Sequence, residues 1–304
     1  VITSSEELGL AVGSTIRGKW RNRAYTIVRT LGAGSNGTVF LVNRGGTQYA
    51  LKVGYDSVDL MSEVNALRTL SKSTSSFHGM LIDVDDVIVS GKEYPFFVMK
   101  FHEGTTIASF LQKHGSDWLY LIGMNLLRKL QELHDQGYVF GDLKMENIIV
   151  SSYGHVELID FGGMTAKGRS VKQFTELYDR GFWGAGSRVA EDSYDLFAFA
   201  ILIMRTVDTQ DSLSKLAKGL PQNRNLQDLK DFVDRSEKLN SAKMFLHQAI
   251  SGQLNSTRAA CEAWRKLLPK TTSSATKSGS GSWLPWCFAL SIVLLGVTVY
   301  LYWP

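Results

Sequence analysis

Hydrophobic and polar positions change their rhythm several times along the chain. Tyr25–Val28, Thr38–Val42 and Gln48–Val53 are short runs rich in β-branched and aromatic residues, separated by glycine-rich breaks, which predicts strands joined by turns. Over Asp59–Leu70 the apolar positions Leu60, Met61, Val64, Leu67 and Leu70 follow helical spacing. Strand character returns over Asp86–Phe101, so the first hundred residues predict a small sheet with one helix. Asp117–Gln136 then places Leu121, Met124, Leu127, Leu130 and Leu133 on one face of an amphipathic helix. Val139–Leu158 predicts short strands around a turn. Ser193–Thr206 is almost unbroken apolar sequence and predicts a buried helix, with weaker helical periodicity to about Leu268.

The pattern changes again near the end. Residues 269–282 are mostly Ser, Thr, Gly and Lys, the composition of a flexible linker. Trp283–Trp303 contains no charged residue. A helix of that length spans about 31 Å, close to the hydrocarbon thickness of a bilayer. Trp283 and Trp286 at one end, with Tyr300, Tyr302 and Trp303 at the other, match the aromatic belts of a spanning helix. The organisation expected is an N-terminal extension at 1–14, a folded domain at 15–268, a linker at 269–282 and a transmembrane helix at 283–303. Lys266, Lys270 and Lys277 precede the apolar segment and no charged side chain follows it. The positive-inside bias then predicts a single pass through the cell membrane with the folded domain in the cytoplasm. Residues 1–14 lack a basic region followed by an apolar core, so no secretory signal is expected.

Composition narrows the classes further. The 304 residues are 44% hydrophobic and 20% charged, enough for a proper core. Two cysteines, Cys261 and Cys287, exclude a disulfide framework, and no Cys/His cluster has zinc spacing. The net charge of +4 is mild, but it is unevenly spread. Residues 212–282 hold twelve basic and five acidic side chains, a local net of +7 against −3 for the remainder. Such a stretch fits a solvated helical surface, attraction to anionic lipid beside the anchor, or non-specific DNA or RNA held through phosphates.

Three sets of residues carry chemistry. Leu31–Val39 has glycines at Gly32, Gly34 and Gly37, and a strand follows it rather than a helix. A glycine hairpin of this kind lets backbone N–H groups approach phosphate without a Cβ in the way. Lys52 lies inside the apolar strand that follows, where a lysine is costly unless it meets an anion. Glu63, between apolar helix positions, is the nearest candidate partner. Gly141-Asp-Leu-Lys-Met-Glu-Asn147 sets Asp142, Lys144 and Asn147 close together, and Ile159-Asp-Phe-Gly162 follows thirteen residues after Asn147. A short hairpin over 148–158 would bring Asn147 and Asp160 to one point. An amide oxygen and a carboxylate suit Mg²⁺, which binds few protein oxygens and leaves room for phosphate. Asp142 would then be free to accept a hydroxyl proton.

From Gly18 to Arg205, and more loosely to Leu268, the chain resembles the Hanks-type (eukaryotic-like) protein kinases, on the motifs just quoted. The resemblance implies an α+β, bilobal protein-kinase-like fold: a small β-rich N-lobe with one helix and a larger helical C-lobe. It implies ATP and Mg²⁺ as cofactors and phosphorylation of Ser/Thr in protein substrates. Gly32, Gly34, Gly37 and Val39 match the phosphate-covering loop. Lys52 matches the lysine that holds the α/β-phosphates, and Glu63 its helix partner. Met99 falls at the gatekeeper position, and Lys100 to His102 in the adenine-binding hinge. Asp142 matches the catalytic base, Lys144 the lysine of Ser/Thr specificity, and Asn147 and Asp160 the metal ligands.

Three departures accompany the match. Phe140-Gly141 stands where the family has His-Arg, so the arginine that grips a phosphorylated activation loop is missing. Lys52 and Glu63 are closer in sequence than usual. No Ala-Pro-Glu is recognisable, Ala190-Glu191 being its nearest trace, while Asp195 fits the family's later buried aspartate. Together with Tyr178–Gly184 these features resemble the small, membrane-anchored YabT-type sporulation kinases of spore-forming bacteria. The expected function is a membrane-anchored kinase that phosphorylates itself, by transient self-association, and cytosolic proteins, with stimulation by a polyanion such as DNA. Two alternatives stand beside it. Phe140-Gly-Asp-Leu143 also resembles the motif of aminoglycoside and choline kinases, which act on small molecules. The altered Phe140-Gly141 also suits a pseudokinase scaffold.

Overall fold

The computed structural model of the chain describes residues 8–34, 36–73, 75–171, 174–220, 224–268 and 283–302. The anticipated linker at 269–282 lies outside the described residues. Strands β1 (Thr15–Arg17), β2 (Ala24–Gly34), β3 (Gly37–Arg44), β4 (Thr47–Gly54), β5 (Leu81–Val89) and β6 (Lys92–Lys100) form one antiparallel sheet in the order β1-β2-β3-β4-β6-β5. Tyr25, Ile27, Phe40, Val42, Leu51, Val53, Phe96 and Val98 alternate onto its inner face and make the N-lobe core. Leu8 is buried in that core with Leu10 packed against it, so the stretch read as an extension at 1–14 joins the domain from Leu8 onward.

Asp86–Phe101, read as one stretch of strand character, is a hairpin. Ser90 and Gly91 both take positive φ, at 50° and 79°, the geometry of a two-residue turn that matches strand twist. The Ser-Gly pair and the polar run Ser90–Glu93 mark a break that a single strand reading passes over. Helix α1 (Ser57–Ser71) begins where the Asp56 carboxylate accepts the amides of Val58 and Asp59. It buries Leu60, Val64, Leu67 and Leu70 along with Glu63, while Met61 points outward.

The C-lobe is built on α3 (Trp118–Asp135) and α4 (Asp192–Val207), with α2 (Ile107–His114), α5 (Ser212–Ala217), α6 (Leu226–Arg235), α7 (Lys243–Ile250) and α8 (Thr257–Arg265) around them. Helix α4 is buried from Tyr194 to Met204 without a break, as its unbroken apolar run required. On α3 the buried face includes Leu119, Ile122, Leu126, Leu127, Leu130 and Leu133, and Leu121 lies at its edge. Contact with α8 sets that orientation. The Trp264 indole donates to the Tyr120 carbonyl at 2.8 Å, and a Cβ on Gly123 would sit 2.6 Å from its ring. Cys261 on α8 is a buried free thiol, pushed up to about 11 by burial.

The chain divides at Leu267/Leu268 into two compact units. The second ends in α9 (Trp283–Tyr302). A helix therefore forms where a membrane span was expected, yet among the described residues no helix is long and apolar enough to cross a membrane. Within α9 the side chains at 283–287, 289, 292 and 299 lie outside the described residues.

Candidate active site

A cleft of about 580 Å³ opens between the lobes. Gly32, Gly34, Gly37, Val39, Lys52, Glu63, Met99, Lys100, His102, Lys144, Asn147 and Asp160 all line it, although they come from separate stretches of the chain. Its roof is the β2–β3 hairpin. Gly37 must be glycine: its φ is +148°, and a Cβ there would meet the Val53 carbonyl oxygen at 2.2 Å. Gly32 and Gly34 are different, because a Cβ on either would meet nothing within 4 Å. Neither fold nor packing demands glycine at these two positions. A phosphate approaching their backbone would.

Register places Val39 opposite Lys52 across β3 and β4. Lys52 is 8% exposed, and its Nζ donates to Glu63 Oε2 at 2.6 Å and to Asp160 Oδ1 at 3.1 Å. Burial disfavours the ammonium, but Glu63 and Asp160 outweigh it and hold Lys52 above the ordinary lysine range. The short separation of Lys52 and Glu63 in sequence is spanned because α1 starts at Ser57, close behind the end of β4 at Gly54, and presents Glu63 in its second turn. At the hinge, Met99 is buried, and the exposed Lys100 turns its Nζ to the His78 carbonyl at 3.0 Å. Burial pushes His102 below the usual histidine range, against the pull of Glu157.

On the floor, β7 (Tyr138–Val139) leads into Phe140-Gly141, and β8 (Ile148–Val150) pairs with β9 (Val156–Leu158) in the short hairpin expected between Asn147 and Asp160. Asp142 is buried and accepts from Lys144 Nζ at 2.6 Å and from Thr175 Oγ1 at 2.8 Å. The Asn147 amide nitrogen donates to the Asp142 carbonyl at 2.9 Å, which leaves its oxygen available toward the cleft. Asp160 adopts φ +60°, an unusual conformation for a non-glycine residue, and its carboxylate accepts from Lys52 and from the Gly162 amide. The Asn147 amide oxygen and the Asp160 carboxylate are hard oxygen donors lining one cleft, a set that fits a divalent cation shared with phosphate.

One contact escaped the sequence, and the buried aspartate expected at 195 finds its partners. Thr175 reaches Asp142 from 33 residues away, and no local periodicity marks it. Asp195, on α4, has no exposed surface and accepts the amides of Phe140 at 2.7 Å and Gly141 at 3.0 Å, as well as His134 Nε2 at 2.8 Å. Gly141 has φ +81°, and a Cβ there would strike the Gly163 carbonyl oxygen at 2.4 Å. The backbone therefore demands glycine where the family has arginine.

The family model for the protein kinase domain matches residues 25–263. This chain belongs to the protein kinase family. It is 36% identical over 251 residues to serine/threonine-protein kinase YabT of Bacillus subtilis, covering 81% of this chain and 72% of that protein. It is 25% identical over 257 residues to serine/threonine-protein kinase ArnS of Sulfolobus acidocaldarius, covering 68% of this chain and 40% of ArnS. Among solved structures, the ROP18 kinase domain in complex with AMP-PNP and sucrose matches with a TM-score of 0.61 at 15% identity, over 88% of this chain and 89% of that one. That likeness concerns the fold. The kinase is of the Ser/Thr protein kinase class, and the family implies ATP and a divalent metal.

Proposed function

We propose that this kinase uses Mg²⁺ and ATP to phosphorylate both itself and other proteins, with Asp142 accepting the proton of the attacking hydroxyl. The observation that carries this reading is the meeting of Lys52, Asn147 and Asp160 in one cleft under a hairpin whose Gly32 and Gly34 leave room for phosphate. Lys52, fixed by Glu63, holds the α/β-phosphates. Asn147 and Asp160 hold the metal, which when bound neutralises charge on the phosphates. Lys144 and Thr175 orient Asp142 toward the acceptor. Catalysis here is positioning plus electrostatics, so losing one such contact costs roughly 10²–10³ in rate. Transfer from labelled ATP to casein and to the chain itself should fall by about that factor in Asp142→Asn and in Lys52→Ala. Wild-type transfer by Asp142→Asn would overturn the assignment.

The same reading places the kinase domain in the cytoplasm, tied to the cell membrane by one pass of residues 283–303. Its support is the absence of charge in that segment, the helix α9 that forms within it, and the lysines that precede it. The basic stretch at 212–282 supports contact with a polyanion, DNA in the first instance and anionic lipid in the second. Lys215, Lys218, Lys238, Arg258, Arg265 and Lys266 are exposed there, while Arg235 and Lys243 face Asp231 and Asp234. DNA that gathers copies of the chain would speed trans-autophosphorylation. Salt-sensitive, sequence-insensitive retention of residues 1–270 on DNA is the expected sign. Retention on anionic vesicles alone would shift the reading to lipid.

A further inference from the structure

The turn that joins α1 to β5 is clamped onto α3 through one exposed serine. Ser76 donates its amide to Glu132 Oε2 at 2.9 Å and its hydroxyl to the same oxygen at 2.6 Å. Lys129 Nζ donates to Ser76 Oγ at 2.9 Å and to Glu157 Oε2 at 2.6 Å. One residue earlier, Gln136 Nε2 donates to Ser75 Oγ at 3.1 Å. The next residue, Phe77, is fully buried. Its ring lies under Lys129 and packs edge-on against Phe161 at 6.0 Å. Phe161 directly follows Asp160, and Asp160 shares Lys52 with Glu63 of α1. The clamp at Ser76 is thus two contacts away from the groups proposed to hold ATP.

We infer that Ser76 is a phosphoryl-acceptor site and that its phosphorylation lowers the activity of this kinase. The site holds two carboxylates, Glu132 and Glu157, against one ammonium, Lys129, so it is already one negative charge in excess. A phosphoserine adds roughly −1.5 to −2 at neutral pH, placed against the Glu132 oxygen that Ser76 now touches. Repulsion from Glu132 then exceeds what Lys129 returns, because Lys129 is already paired with Glu157. The turn's other lysine, Lys72, makes no side-chain bond to these groups, and Lys100 is bonded to the His78 carbonyl. Release of the turn frees Phe77 from under Lys129 and loosens the wall against Phe161.

The reaction is ordinary phosphoryl transfer. Ser76 Oγ bonds to the γ-phosphorus of ATP as the bond from that phosphorus to the β–γ bridging oxygen breaks. ADP leaves, and the hydroxyl proton passes to Asp142 and on to solvent. Ser76 does not line the cleft, so the copy that transfers the phosphate is a second one.

The inference rests on the autophosphorylation proposed above, and the test separates the two. The full chain is incubated with ATP and Mg²⁺ alongside casein, and phosphate is mapped by mass spectrometry. Phosphate on Ser76, absent in Asp142→Asn, is expected. Labelled casein with an unmodified Ser76 overturns the inference alone, and no transfer to either overturns both. Ser76→Asp should lose about tenfold or more of casein transfer and speed amide exchange over residues 75–80, and Ser76→Ala should stay within about threefold of the parent. Adding Glu132→Gln to Ser76→Asp removes the repulsion and should restore most of the activity. Should Ser76→Asp not fold, chain carrying phosphoserine at 76 serves in its place. Full activity in the Asp or phosphoserine form, or no rescue by Glu132→Gln, overturns the inference.

Discussion

The loop that carries Asp142 and the segment from Phe174 to Glu191 are both irregular backbone, and each is organised around a buried carboxylate. In the loop the carboxylate comes from outside. Asp195 projects from the most buried helix of the C-lobe and takes the amides of Phe140 and Gly141. In the segment the carboxylate belongs to the segment itself. Asp179 accepts the amides of Gly181 and Phe182, the Tyr194 hydroxyl at 2.9 Å and Arg188 Nε at 2.7 Å. Arg188 in turn stacks on Phe174, and Arg180 ties the Ser187 carbonyl, Ser193 and Glu191 together. The loop is fastened to a part that cannot move without unfolding the lobe. The segment is fastened by its own arginines, Arg180 buried and Arg188 with a side chain 42% exposed. Both are held by protein groups alone, as expected where Gly141 replaces the arginine that would grip a phosphate.

The comparison is broken most severely at Asp195. Asp195→Asn retains the shape but gives up acceptor capacity for two amides and His134. Leaving such buried groups unpaired costs about 3 kcal/mol. At 2–4 °C per kcal/mol for a domain of this size, the melting temperature should fall by roughly 6–12 °C. Phosphotransfer should fall with it, and a variant with unchanged melting and activity would show that the loop is held by something else.

The segment should respond less in stability and more selectively in activity. Arg188→Ala removes the charged partner of Asp179 and should cost about 1.5 kcal/mol, with phosphotransfer down roughly tenfold as Thr175 shifts from Asp142. Ser170→Ala should stay within about threefold of the parent. Among the hydroxyls from Thr165 to Tyr178 only some are open to phosphate. Thr175 is bonded to Asp142, Thr165 to the Gly163 carbonyl, and Tyr178 is buried with its phenol pushed up to about 12 by that burial and by Glu146. Ser170 is exposed. Blocking Thr175 would therefore disturb Asp142 itself, whether or not it is phosphorylated. Loss of activity in Ser170→Ala, with Arg188→Ala unaffected, would reverse the picture and make phosphate the fastener.

The smallest expected effect is a pH slope behind the loop. Burial lowers the affinity of His134 for a proton, but Asp192 and Asp195 outweigh it and hold the imidazole above the usual histidine range. Asp192 is held well below the usual carboxylate range: its bonds to His134 and Lys167 outweigh the upward push of burial. A raised histidine contributes fully below its unfolded value of about 6.5 and loses that contribution as pH climbs through the folded value. A lowered carboxylate contributes above about 3.9 and loses it on acidification. Both hold together between about pH 4 and 6.5, so melting temperature should decline from pH 6.5 toward 9. His134→Gln should flatten that decline, and an identical slope in the variant would remove His134 as its source.

Much of the site was legible in the chain because its motifs are local. Asp142, Lys144 and Asn147 sit within one turn of backbone, and the hairpin to Asp160 is short enough to be read from spacing. Lys52 stood out because a lysine in an apolar strand needs an anion, and Glu63 because it interrupts an apolar helix face. The Ser90-Gly91 turn was not anticipated, although its Ser-Gly pair and the polar run Ser90–Glu93 mark it. Nor was the burial of Leu8, whose partners are strands that follow it in the chain.

The sequence by itself determined most of the order of elements, the change from a sheet with one helix to a helical remainder, and the identity of the charged groups, because periodicity, glycine and short-range spacing are properties of neighbouring residues. Tertiary structure decided which of those groups meet. Thr175 reaches Asp142, Asp195 holds the backbone on either side of the Phe140–Gly141 bond, and Ser76 is clamped between Glu132 and Lys129. Each of these contacts joins residues more than 30 positions apart. No local pattern encodes a partner that only the folded chain brings near, whether the pair is buried, as at Asp195, or exposed, as at Ser76.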